Sequence, residues 1–120
     1  LVNELYATGD LRERQAVLRA LPHLPDAERF LAIALEAVRD HAAPVVEAIA
    51  CENPYPAVYF SEEAFNQLVL KCLFREISLR RVQGLVRRVN PELRRMVDAY
   101  ANERRAAGRT VPADVALVRD

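Results

Sequence analysis

Two histidines, two cysteines and a pair of adjacent glutamates are the residues of this 120-residue chain whose types suit metal, nucleophilic or acid–base chemistry. Histidine is the common transition-metal ligand, but His23 and His41 are far apart in sequence with no cysteine or carboxylate cluster at ligand spacing, so no metal site is expected. A nucleophilic Cys51 would need a base beside it and a lowered thiol pKa, and the charge of its neighbour Glu52 acts the other way. Cys51 and Cys72 read instead as small buried hydrophobes in a reducing, cytoplasmic compartment, without a disulfide. Glu62 and Glu63 cannot share a proton on a helix, where successive residues diverge by about 100°. No catalytic residue and no cofactor is expected.

Two further constellations suit binding. Arg80, Arg81, Arg87 and Arg88, with Gly84 between them, would form one face of a helix, able to grip a phosphate, a carboxylate or an acidic partner. Gly84 would let such a ligand approach the backbone. The bland alternative is a solvated helix face. The second constellation is Asn53, Tyr55 and Tyr59, followed by Phe65, Asn66, Gln67 and Lys71 among apolar neighbours. Apolar and aromatic walls with a few placed polar groups make a small-molecule pocket. The same makeup also serves a loop tied to a central helix by buried hydrogen bonds, with Asn66 bonding the backbone of residues 53–60.

These groups have to be held by a scaffold, and the composition limits what it can be. Hydrophobic residues make up 52% of the chain and charged residues 28%, which supports one packed core and argues against disorder. Seventeen basic residues balance seventeen acidic ones, too little positive charge for nucleic-acid binding. The balance is uneven along the chain. Residues 1–60 carry five arginines against nine acids, a net −4, and residues 61–120 carry twelve basic residues against eight acids, a net +4. Only three glycines and no long apolar run are present, so neither a collagen-like chain nor a membrane span is indicated. The first residue is Leu1 and the only methionine is Met96, so the chain reads as a piece of a longer protein.

Hydrophobic spacing predicts an all-α domain of about six helices over residues 1–120, an irregular bundle or a HEAT-like α-solenoid. The first helix runs from Asp10, its cap, to Leu21, where Pro22 stops it. A second opens at Pro25-Asp26 and extends to about His41, and a third follows Pro44. Asn53-Pro54-Tyr55-Pro56 is predicted as a stiff loop, because its prolines fix the backbone and remove donors. Four of the eight aromatic residues, Tyr55, Tyr59, Phe60 and Phe65, fall on or just beyond it, so it should fold down on the core. Ser61 caps a helix that is apolar almost all round and belongs in the middle of the bundle. A helix over 78–89 carries the arginine face. The last begins at Asn90-Pro91, includes an Arg94–Asp98 pair, and is closed by Gly108. Residues 108–120 form a C-terminal arm or a final turn.

The runs Cys-Glu-Asn-Pro-Tyr-Pro-Ala-Val-Tyr-Phe (51–60), Ala-Phe-Asn-Gln-Leu-Val-Leu-Lys (64–71), Asn-Pro-Glu-Leu (90–93) and Ala-Gly-Arg (107–109) together resemble the EboA family. The resemblance covers about half of the chain, from 51 to 112, and looks like the C-terminal part of such a protein. It implies a non-enzymatic helical adaptor in the traffic of secondary-metabolite precursors toward the periplasm. Its partners would be proteins of the same bacterial gene cluster, among them a membrane protein. The other reading is a carrier for a metabolite precursor, with its pocket between the 53–60 loop and the 61–76 helix. No catalytic residue comes with the resemblance.

Overall fold

The computed structural model describes residues 1–119, and among them it is all-α, with nine α-helices, four short 3₁₀ turns and no strand. α1 (Val2–Thr8) was not evident from the apolar spacing. It lays Tyr6 against α2 (Leu11–Ala20), whose start is fixed by a reciprocal cap. The Asp10 carboxylate accepts from the Glu13 amide at 2.9 Å, and the Glu13 carboxylate accepts from the Asp10 amide at 3.0 Å. Pro22 ends α2 in a 3₁₀ turn, Leu21–His23.

The helix predicted from Pro25 to His41 is shorter. Asp26 adopts a left-handed φ of 51°, residues Ala27–Phe30 make a 3₁₀ turn, and α3 covers Leu31–Val38 only. α4 (Ala43–Ala50), with Pro44 in its first turn, packs on both α2 and α3 and buries Val45, Val46, Ile49 and Ala50.

The segment predicted as a stiff loop contains one helical turn and more, α5 (Tyr55–Tyr59). Its prolines do not prevent this, because Pro54 is the cap and Pro56 lies in the first turn, where an amide donor is not needed. α6 (Glu62–Phe74) begins at Ser61, whose hydroxyl accepts from the Ala64 amide at 3.1 Å. It buries Phe65, Leu68, Val69, Leu70, Cys72 and Leu73 and touches α3, α4 and the last long helix, the central place expected of a helix apolar nearly all round.

The single helix expected over 78–89 is broken. Leu79–Arg81 is a 3₁₀ turn, Val82 is extended and forms an antiparallel bridge with Cys51, and Gly84 has a φ of 77°. Only α7 (Leu85–Arg88) is helical. The cause is nonlocal: the Glu52 amide donates to the Arg81 carbonyl at 2.9 Å, pulling this stretch into a bridge that helical spacing cannot reveal.

α8 (Pro91–Ala106) starts at Asn90, which accepts from the Leu93 amide at 2.8 Å, and stops before Gly108, at a φ of 71°. Asp98 pairs with Arg119 (2.8 Å) rather than with Arg94. Residues beyond Gly108 turn back through a 3₁₀ turn (Ala113–Val115) into α9 (Ala116–Arg119), burying Val115 and Val118. The body measures 47 × 26 × 18 Å.

Candidate functional site

The segment between α4 and α6 is held by three buried or half-buried side chains. Asn53, 2% exposed, donates from Nδ2 to the carbonyls of Leu18 and Ala48, both at 3.0 Å, and accepts from the Tyr55 amide at 3.0 Å. One amide side chain thus joins α2, α4 and α5. The preceding Glu52 takes a left-handed φ of 47°, a strained value for a residue with a Cβ, which the Cys51–Val82 bridge fixes. Tyr55 is fully buried and donates its hydroxyl to the Ala27 carbonyl at 2.8 Å. Its ring packs against Tyr59, with centroids 4.6 Å apart, and burial pushes the phenol up to about 12.

Arg88 reaches the same segment from α7. Its guanidinium donates to the carbonyls of Ala57 (2.5 Å) and Phe60 (2.8 Å) and lies 4.7 Å from the centre of the Phe65 ring. These carbonyls close α5, where helix C-termini lack internal donors, so a cation there satisfies them and meets the negative end of the dipole.

Asn66 does not bond the 53–60 backbone as expected. Its amide pairs with that of Asn90: Asn90 Nδ2 donates to Asn66 Oδ1 at 2.9 Å, and Asn66 Nδ2 donates back at 3.3 Å. The pair ties α6 to the start of α8, and Phe65 beside it is fully buried. Gln67 and Lys71 point elsewhere. They join Leu35, Val38, Arg39 and Phe74 along a groove of about 510 Å³ between α3 and α6. The expected pocket residues are therefore split between a closed core under α5 and a groove on another face of α6.

The four arginines do not form one face either. Arg81 donates to both Glu52 oxygens, at 2.9 and 3.0 Å, and lies 3.4 Å from Glu47. This hydrogen bonding holds the Glu52 carboxyl below its ordinary range. Arg88 is spent on the segment. Arg80 and Arg87 stay exposed and border a shallow depression with Gly84, Val86 and Leu117. Gly84 is not an opening for a ligand: a Cβ there would stand 2.8 Å from the Ala57 Cβ, so the glycine admits α5 itself.

The thiols face inward. Cys51 is 4% exposed, and burial pushes it up to about 11; Cys72 is fully buried and pushed up to about 12 by the same cause. Among the described residues no group of three His, Cys, Asp or Glu side chains is placed to hold a metal ion, and no helix is long and apolar enough to cross a membrane. Sequence reasoning did not find Arg39 or the α3 wall of the groove, nor a polar cluster at the other end. There Arg14 stacks over Tyr6 at 4.9 Å and pairs with Asp40 at 3.6 Å. The signal available for the groove was Lys71, the only lysine in the chain, on an otherwise apolar helix.

Such a molecule is an all-α scaffold whose most suggestive polar groups hold its own segments together. It belongs to the EboA family: the family model, described as metabolite traffic protein EboA, matches residues 1–118. The match takes in the N-terminal half as well as the stretch from 51 to 112 that carries the resemblance. Neither the curated proteins nor the solved structures give a match.

Proposed function

We propose that this chain serves metabolite traffic as a non-enzymatic helical adaptor, working in the cytoplasm with other products of its gene cluster on secondary-metabolite precursors bound for the periplasm. One observation carries the reading. Asn53, Tyr55, Asn66, Asn90 and Arg88, the polar groups with the makeup of a site, all bond to the protein's own backbone or to each other. A body tied in this way suits rigid presentation of a surface.

The surface we assign to the partner is the depression bordered by Arg80 and Arg87, with Val86 (75% exposed) between them. Neither arginine has a carboxylate within ion-pair distance among the described residues, so an acidic partner surface would complement them.

The test measures binding of the intact chain to each neighbouring gene product by biolayer interferometry at low and high salt. At least one product should bind, more weakly at high salt, and the Arg80→Ala, Arg87→Ala double variant should lose most of that affinity. Unchanged affinity in the double variant, or no binding product, overturns the proposal.

A further inference from the structure

We infer that the groove between α3 and α6 is a binding site for a small amphipathic anion, an apolar chain or ring system ending in a carboxylate or phosphate. Its volume of about 510 Å³ is that of a small-molecule site. Val38 and Leu70, both buried, make its apolar floor, and the half-buried Leu35 and the exposed Phe74 stand at its sides. Phe74 projects with 64% of its surface exposed, yet its ring is steadied edge-on against Tyr100 at 5.5 Å. An exposed aromatic wall held in place before any ligand arrives loses little freedom on binding.

The cations stand near the exits of the two helices. Lys71 and Arg39 both line the groove, and among the described residues neither has a carboxylate within ion-pair distance. The Arg75 guanidinium donates to the His41 carbonyl at 2.8 Å, which draws the exit of α3, just past Arg39, to the exit of α6, just past Lys71. Two unpaired cations beside an apolar trough select an anionic head with an apolar body. Glu63, the groove's one carboxylate, lies two turns earlier on α6, about 12 Å along the axis. It disfavours the reverse orientation of the ligand.

A partner helix fits less well. Helix-in-groove recognition needs a strip of exposed apolar positions, whereas Val38 and Leu70 are buried in the floor and Phe74 alone protrudes. The site is distinct from the Arg80–Arg87 surface, so either can fail without the other.

Because Lys71 is the only lysine, amine acetylation of the folded chain followed by peptide mass spectrometry reads this site apart from the Leu1 α-amine. Binding of dodecanoate and dodecyl phosphate, below their micelle-forming concentrations, is measured by equilibrium dialysis on the chain and on each variant, with dodecanol as the uncharged control. At least one of the two acids should bind about tenfold or more tightly than dodecanol, and should slow Lys71 acetylation in step with occupancy. Which acid does so separates a carboxylate from a phosphate ligand. The Lys71→Gln, Arg39→Gln double variant should bind the acids no better than dodecanol, while Arg80→Ala with Arg87→Ala should bind them normally. The inference is overturned if dodecanol matches both acids, if the acids leave Lys71 unprotected, or if the Lys71, Arg39 variant binds unchanged. It is also overturned if an acidic amphipathic peptide protects Lys71 where neither acid does.

Discussion

Asn53→Ala tests whether one buried amide pins the segment between α4 and α6. The side chain makes three hydrogen bonds, two donated to carbonyls of α2 and α4 and one accepted from the backbone of α5, all at 3.0 Å. At about 1 kcal/mol net for each intramolecular bond, their loss is worth about 3 kcal/mol. The Leu18 carbonyl keeps a partner in the Leu21 amide, which limits any further penalty there. A chain of this size has about 5–15 kcal/mol of stability in all, so the variant should unfold at clearly lower urea. Far-ultraviolet circular dichroism through a urea titration gives the midpoint and the slope, and a lower midpoint with unchanged slope isolates a stability effect. The control is Asn102→Ala, an exposed residue on α8 that should change stability by no more than about 0.5 kcal/mol. A loss below about 1 kcal/mol for Asn53→Ala, no larger than a single ordinary hydrogen bond, would refute the assignment of Asn53 as the pin.

Two other perturbations follow from the same packing. Gly84→Ala places a Cβ at a φ of 77° and 2.8 Å from Ala57, whereas Gly108→Ala meets only the unfavourable φ of 71° in open space. Gly108→Ala should therefore cost about 1 kcal/mol of left-handed strain and Gly84→Ala more, measured as a larger fall in melting temperature, with Ala57→Gly recovering part of the difference. The thiols give a pH signature: both ionise at an ordinary value of 9.0 in the unfolded chain but are held up to about 11 and 12 in the fold. The folded state thus keeps protons that the unfolded state releases, so stability is full below pH 9 and declines as the pH rises from there toward 12. Cys72→Ala should make that alkaline decline shallower, with Cys51 and Tyr55 supplying what remains, and a thiol reagent should label neither cysteine before unfolding; rapid labelling of both in the native protein would contradict the burial.

Capping signals and all-round apolarity are legible in the sequence because they depend on neighbours alone. Asp10 and Ser61 cap the helices that they are expected to cap, the last long helix begins at Asn90-Pro91 as expected, and the apolar surround of α6 does place it at the centre. Two departures are local, α1 and the turn of α5 whose prolines sit at its cap and first turn, and the others are long-range. Nothing near Val82 announces that it pairs with Cys51, so the arginines of 78–89 were assigned to one helical face that does not exist. Asp26, Glu52 and Glu76 take left-handed backbone angles without being glycine, and so give no turn signal. Asn66 was recognised as a buried polar residue in need of a partner, but its partner is the cap of another helix rather than the nearby loop. The groove is a product of packing α3 beside α6, and periodicity within either helix cannot show it.

The division of labour among the polar residues bears on where function lies. A buried amide or hydroxyl left without a partner costs more than a made hydrogen bond gains, so Asn53, Tyr55 and Asn66 are under strong pressure to be satisfied inside the fold, and they are. The runs at 51–60 and 64–71 that carry the family resemblance are thus largely instructions for one tertiary arrangement: a strained Glu52, a pinned α5 and a central α6. Arg88 belongs with them, since its guanidinium serves the carbonyls that end α5. What these instructions leave on the surface is two features that carry cations without an ion-pair partner among the described residues, the Arg80–Arg87 depression and the α3–α6 groove with Lys71 and Arg39. Membership of the family then accounts for the scaffold, while on the two readings proposed above partner and cargo would be met by the cations that have no carboxylate within ion-pair distance among the described residues.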